Sequence, residues 1–261
     1  MQHGLELHEG PMVPSPLAAR PEDVVQGAIA ACPIAAVMTA MAGARPANLG
    51  RILGPPQNDD VFSKRRDDEI FRYWTRFYYD VTFPGRGSPA RISPMVYVQD
   101  GAVQYASSPG GAGWPSYIEK AYAVWKSGGG QGGSGGDYTR LDLQISLTAP
   151  PDLGQVMRDL IGPFDVLDQD GNQFIDAQRN ARPLRPDDVA AVAARAGRRP
   201  TVAPTIAAGA DRFGLVSSHA YAVLGFRTGV RLRNPWGGPG ATSTISVAIF
   251  RQAFRGMWQA V

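Results

Sequence analysis

Cys32, His219 and Asn234 are residue types that together can carry out nucleophilic chemistry. A thiol supplies the nucleophile, an imidazole moves its proton, and an amide oxygen orients the imidazole. Cys32 stands before Pro33 at the head of a small apolar run. That placement predicts a helix beginning at Pro33 with Cys32 as its N-cap, where the positive end of the helix favours thiolate over thiol. His219 and Asn234 lie towards opposite ends of SSHAYAVLGFRTGVRLRNPWGG, and the midpoint between them falls in the stretch bounded by Gly225 and Gly229. A hairpin turning there sets the two side by side. In that arrangement the Asn234 oxygen accepts the Nδ1 proton, leaving Nε2 to face a nucleophile, and Trp236 covers the bond. Gln26, shortly before Cys32, can swing its amide beside the Cys32 N–H as the second donor of an oxyanion hole. Taken singly, each residue also has a plain structural role: a buried thiol, a strand-end histidine, a polar residue before a helix. In combination they favour a Cys-His-Asn site.

The elements that must position these residues are visible in the periodicity. QGAIAACPIAAVMTAMA, from Gln26 to Ala42, is apolar on every face and suits a helix at the centre of a domain. DDEIFRYWTRFYYDVTF alternates charged and aromatic residues, and RISPMVYVQDGAVQYA reads as two strands turning at Asp100-Gly101, an accessory sheet. WPSYIEKAYAVWK places Tyr117, Ile118, Ala121, Tyr122 and Trp125 on one helical face. The glycine run Gly128 to Gly136 reads as a flexible linker or a mobile flap, and YTRLDLQISL after it alternates as a strand. Asp152 to Leu160 and Asp187 to Ala196 are predicted helices, the latter capped by Asp, and strands dominate from Phe213 onward. Helices early and strands late give an α+β chain. Its expected organisation is a flexible arm over residues 1–20, a helical lobe with Cys32 over 21–150, and a sheet-rich lobe with His219 and Asn234 over 151–261.

Composition removes several other functions. One cysteine among 261 residues excludes an internal disulfide framework and a cysteine-based zinc site. Lys and Arg total 26 against 23 Asp and Glu, and the most basic stretch, Arg179 to Arg199, lacks interleaved aromatics, so no nucleic-acid partner is expected. No apolar run approaches membrane-spanning length, and the first residues lack the charged and apolar regions of a signal peptide. The expectation is a chain without membrane insertion, cytoplasmic or exported as an effector without a classical signal. DQDGNQFIDAQR opens like an EF-hand but has Gln173 where the turn glycine belongs and Arg179 where the closing Glu belongs. It reads as an acidic turn.

Three blocks resemble the protease core of the calpain family of papain-like cysteine peptidases: QGAIAAC, GLVSSHAYAVLG and RLRNPWG. WPSYIEKAYAVW, MVYVQDGAVQYA and ISVAIFRQAF are similar to further segments of that core, in family order. Departures are Ala30-Ala31 where the family has Gly-Asp, Pro33 where it usually has an aromatic, and a short His-to-Asn connection. The resemblance implies a papain-like two-lobed α+β fold with the site between the lobes. It implies a cysteine endopeptidase acting on protein or peptide substrates, with Cys32, His219 and Asn234 as triad, Gln26 in the oxyanion hole and Trp236 shielding the triad. The chemistry needs no cofactor and no metal site is assigned. Calcium dependence stays open. A transferase or deamidase using the same triad, and an inactive protein-binding relative, are the alternatives.

Overall fold

The computed structural model describes residues 6–28, 31–64, 71–126 and 152–261. Helix α1 (Cys32–Ala44) contains no charged residue and is buried continuously from Pro33 to Ala42. Its full burial follows from its composition, since no face is polar enough to remain in water. Ile34, Val37, Met38 and Met41 are almost wholly inaccessible, each contributing roughly 1.5–3 kcal/mol by leaving water. The helix stops at Arg45, because Pro46, which opens α2 (Pro46–Ile52), disfavours helical geometry in the residue before it.

The main sheet runs β13-β12-β11-β10-β14-β7-β8-β9. Its strands are β7 (Phe164–Asp168), β8 (Gln173–Ile175), β9 (Ala181–Pro183), β10 (Thr201–Pro204), β11 (Ala220–Phe226), β12 (Val230–Arg233), β13 (Thr242–Ile245) and β14 (Gly256–Ala260), and neighbours pair antiparallel. Helix α1 lies against β10 and β11. Alternation along β11 serves two cores: Ala220 and Ala222 join the one containing α1, while Tyr221 and Val223 join a second one on the other side. Small residues on the α1 face let helix and strand approach closely. Helix α5 (Asp188–Arg195), which follows α3 (Trp114–Lys126) and α4 (Leu153–Leu160) in the chain, and α6 (Val247–Ala253) contribute to the second core.

Two smaller sheets accompany the first core. One joins β1 (Glu6–Glu9), β5 (Met95–Gln99) and β6 (Ala102–Val103); the other joins β2 (Gln57–Lys64), β3 (Phe71–Val81) and β4 (Ala90–Ile92). Asp100 and Gly101 both have positive φ, the requirement of a tight type I′ hairpin turn at the place read from sequence. Helix α3 (Trp114–Lys126) and helix α4 (Leu153–Leu160) complete the core. Asp152, read from sequence as the first helical residue, instead caps α4, accepting the Gln155 N–H at 2.8 Å.

Three expectations change. Within the arm, residues 6–20 are docked instead of loose: β1 pairs with β5, Tyr117 Oη donates to Pro11 O at 2.8 Å, and the Val13 N–H donates to Tyr79 Oη at 2.8 Å. A proline-rich stretch has few internal partners, so its polar backbone groups bond to the core it crosses. Helix α4 and Phe164 belong to the first core, so that core extends beyond residue 150. Asp187 holds the N-cap position of α5 without a side-chain bond; the neighbouring Asp188 instead accepts the Arg185 N–H at 2.7 Å and pairs with Arg182. DQDGNQFIDAQR forms the end of β7, a turn and β8, where the Gly171 N–H donates to Asp168 Oδ1 at 3.1 Å. The Gly128–Gly136 segment and the strand expected over residues 139–147 lie outside the described residues.

Candidate active site

Cys32 is the first residue of α1, and Ala31, not Cys32, holds the N-cap position. Ala31 O already accepts the Ala35 N–H at 3.1 Å, which brings Cys32 inside the helix. Cys32 is half-buried, and burial pushes its thiol above the ordinary value; the amides of Ala220 and of Cys32 itself offset this in part. Desolvation is thus the largest influence on the thiol, and it opposes the thiolate expected from the sequence. The Ala220 amide also locates the sulfur, since it belongs to the residue following His219.

His219 enters the site from the start of β11 and is clamped through its backbone. Its N–H donates to Thr205 Oγ1 at 2.9 Å, and its carbonyl accepts the Thr205 N–H at 2.8 Å. Ser218 before it has φ of 52°, a left-handed conformation uncommon for serine, held by the Ser218 N–H to Ile206 O at 2.9 Å and Ser218 Oγ to Ala207 O at 3.1 Å. Thr205 and Ser218 are positioning residues that the sequence reading missed. A hydroxyl-rich approach to the histidine was the only available signal.

His219 Nε2 lies 2.9 Å from Asn234 Oδ1. The same oxygen accepts the Trp236 N–H at 3.0 Å. A flipped amide would point donor at donor, so this second bond fixes the amide, and Nε2 must carry the proton. The nitrogens are thus reversed from the expectation: Nε2–H goes to Asn234, and Nδ1 keeps the lone pair. Register explains the reversal. β11 has a bulge between Val223 and Gly225, and Ala222 pairs with Arg233. Continued, that register sets Asn234 level with Tyr221 and His219 level with Trp236, so Asn234 meets His219 diagonally and the outer ring nitrogen makes the contact. Trp236 lies over the imidazole at a centroid distance of 4.8 Å, with half its own surface exposed. His219 itself is buried, which moves its pKa below the ordinary value, opposed by the Asn234 bond.

Gln26 reaches the same loop by its backbone, its N–H donating to Pro235 O at 2.7 Å, with its side-chain oxygen buried. The strand-like bridge Val25↔Ser107 aligns this segment. Gly27 follows because a side chain there would collide with the carbonyls of Gln104 and Tyr105. Gly237 closes the Asn-Pro-Trp-Gly turn at φ of 73°, where a Cβ would come within 2.9 Å of Val25. Residues 29–30, which join Gln26 to Cys32, lie outside the described residues. Cys32 and His219 line one cleft of about 740 Å³, together with Pro33, Thr205, Ser218 and Trp258. Among the described residues, no group of three or more His, Cys, Asp or Glu could hold a metal ion, and no helix is long and apolar enough to cross a membrane.

Compared with known proteins, the chain matches no family model and no curated protein. The functional reading therefore rests on this geometry.

Proposed function

We propose that the chain is a cysteine endopeptidase with a calpain-like, papain-like two-lobed fold, acting on protein or peptide substrates. Cys32 attacks the scissile carbonyl and His219 Nδ1 accepts the thiol proton in step with the attack. That proton is then given to the leaving amine, and the resulting thioester is hydrolysed by water. Asn234 holds the Nε2–H tautomer, Trp236 shelters that bond, and Gln26 with the Cys32 N–H receives the oxyanion. One observation carries the reading: the doubly bonded Asn234 oxygen imposes a base-competent tautomer on a histidine that shares a cleft with the only cysteine. A resting pair of neutral thiol and neutral imidazole agrees with the opposite shifts of the two groups.

The test is incubation with an unfolded protein substrate, followed by mapping of new N-termini. New termini that disappear in Cys32→Ala support the peptidase. A modified substrate without chain cleavage points to a transferase or deamidase, and an unchanged substrate to an inactive binding relative.

A further inference from the structure

The cleft does not end at the nucleophile. Phe164, Val166 and Trp258 line it as far as a wall bearing Arg158, Arg179 and Arg255. A second hollow of about 340 Å³ is bounded by the same Arg158, Arg179 and Phe164, so the depression continues between the two arginines. Most charges nearby are already matched. Arg255 donates to Asp170 at 2.8 Å. Asp176 has both oxygens engaged by Asn180, at 2.8 and 2.9 Å, and Asp165 accepts the Ala177 N–H at 3.0 Å while facing Arg199 at 3.9 Å. Asp152, the remaining carboxylate of the wall, caps α4.

Arg158 and Arg179 stand apart from this matching. Arg158 donates to the neutral Gln155 Oε1 at 3.1 Å, and Arg179 enters no ion pair among the described residues. Arg179 also has φ of 71°, which arginine rarely adopts. The tight turn between β8 and β9 imposes it: the Arg179 N–H donates to Asp176 O at 2.9 Å and the Asp176 N–H to Asn180 O at 3.0 Å. A strained backbone thus presents a guanidinium with no ion pair among the described residues on the lining of the cleft that also holds Cys32. We propose that Arg179, assisted by Arg158, forms a subsite for an acidic side chain of the bound peptide, making the enzyme selective for Asp or Glu at one position away from the scissile bond. The planar fork of arginine suits a carboxylate. This inference rests on the peptidase reading of the same cleft.

Binding separates the two. Cys32→Ala is titrated by fluorescence anisotropy with labelled peptides differing only by Glu, Gln or Lys at each position in turn. One position should favour Glu by about fivefold, as for a solvent-accessible ion pair, and lose that preference in 0.5 M salt. Arg179→Asn, which removes the charge but tolerates the left-handed turn, should bring the Glu-to-Gln ratio to about one, and Arg179→Glu should shift preference to Lys. Equal binding of Glu and Gln at every position, or a preference that survives Arg179→Asn combined with Arg158→Gln, would overturn the subsite. With Cys32 restored, cleavage without acidic selectivity defeats the subsite alone. Selective binding without any cleavage upholds the subsite and defeats the peptidase.

Discussion

Asn234 accepts two N–H donors through one oxygen, and this decides more about the site than either histidine nitrogen does alone. In the proposed mechanism His219 moves the proton and Asn234 only steers it, so the two should differ in mutational cost. His219→Ala is expected to lower kcat by about 10²–10⁴-fold. Asn234→Ala, which removes one orienting bond, is expected to cost on the order of tenfold. Steady-state kinetics on one peptide checks the order, and equal wild-type rates for both would contradict the triad. The opposite pKa shifts give a second expectation. With the thiol raised and the imidazole lowered, the resting pair is uncharged near neutrality. Alkylation of Cys32 by iodoacetamide should therefore keep rising with pH through neutrality, with no plateau on the acid side. The acid limb of kcat/KM should lie below about pH 6.5, where a buried His219 finally protonates. A fast alkylation plateau already present at pH 5 would show a preformed thiolate-imidazolium pair.

Helix α3 ties the first core to the site through two buried charged residues. Lys120 donates to Ser93 O, Ser93 Oγ and Met95 O, at 3.1, 3.1 and 2.6 Å, fixing the junction of β4 and β5. Glu119 accepts the Ala106 N–H at 2.5 Å; its other oxygen is buried with no hydrogen-bond partner among the described residues, and burial raises its pKa to about 8. Ala106 adjoins Ser107, which is bridged to Val25, next to Gln26. Because the folded pKa exceeds the unfolded one, this group's stabilising effect is full below the unfolded value and is lost as pH rises through about 8. Glu119→Gln should therefore flatten the decline in Tm between pH 5 and pH 9, and an unchanged pH profile would contradict a buried, neutral Glu119. Element placement was largely legible in the sequence: the Cys32 helix, the Asp100-Gly101 turn and the β11–β12 hairpin each carry a local signal. The ring-nitrogen assignment was not, because it depends on the β11–β12 register, which sets Asn234 diagonal to His219, and nothing local in the sequence fixes that register. Nor was the docked N-terminal stretch, whose partners Tyr79, Pro94 and Tyr117 are remote in sequence.

At the scale of the whole molecule, the cysteine helix and the histidine strand are joined without an intermediary. α1 packs directly on β11, the Gln26 N–H bonds to Pro235 O, Arg233 Nε donates to Pro21 O at 3.0 Å, and Arg45 Nε donates to Arg198 O at 3.0 Å. Side chains and backbone thus align the two halves of the site, so we expect cleavage to persist in excess chelator. Loss of activity restored by calcium but not magnesium would contradict that alignment and require calcium ligands elsewhere in the chain. Cys32→Ala should leave the fold intact, since alanine suits the small-residue helix and no disulfide depends on the thiol. The central claim is that Cys32 attacks a peptide carbonyl with help from His219, and intact-mass spectrometry with a peptidyl aldehyde, an electrophile that resembles the substrate carbonyl, tests it most directly. Under native conditions, which preserve the reversible hemithioacetal formed when the thiol adds to the aldehyde, one adduct per chain is expected in wild type, much less in His219→Ala and none in Cys32→Ala. Equal adduct in wild type and Cys32→Ala, or none in any of the three, would contradict it.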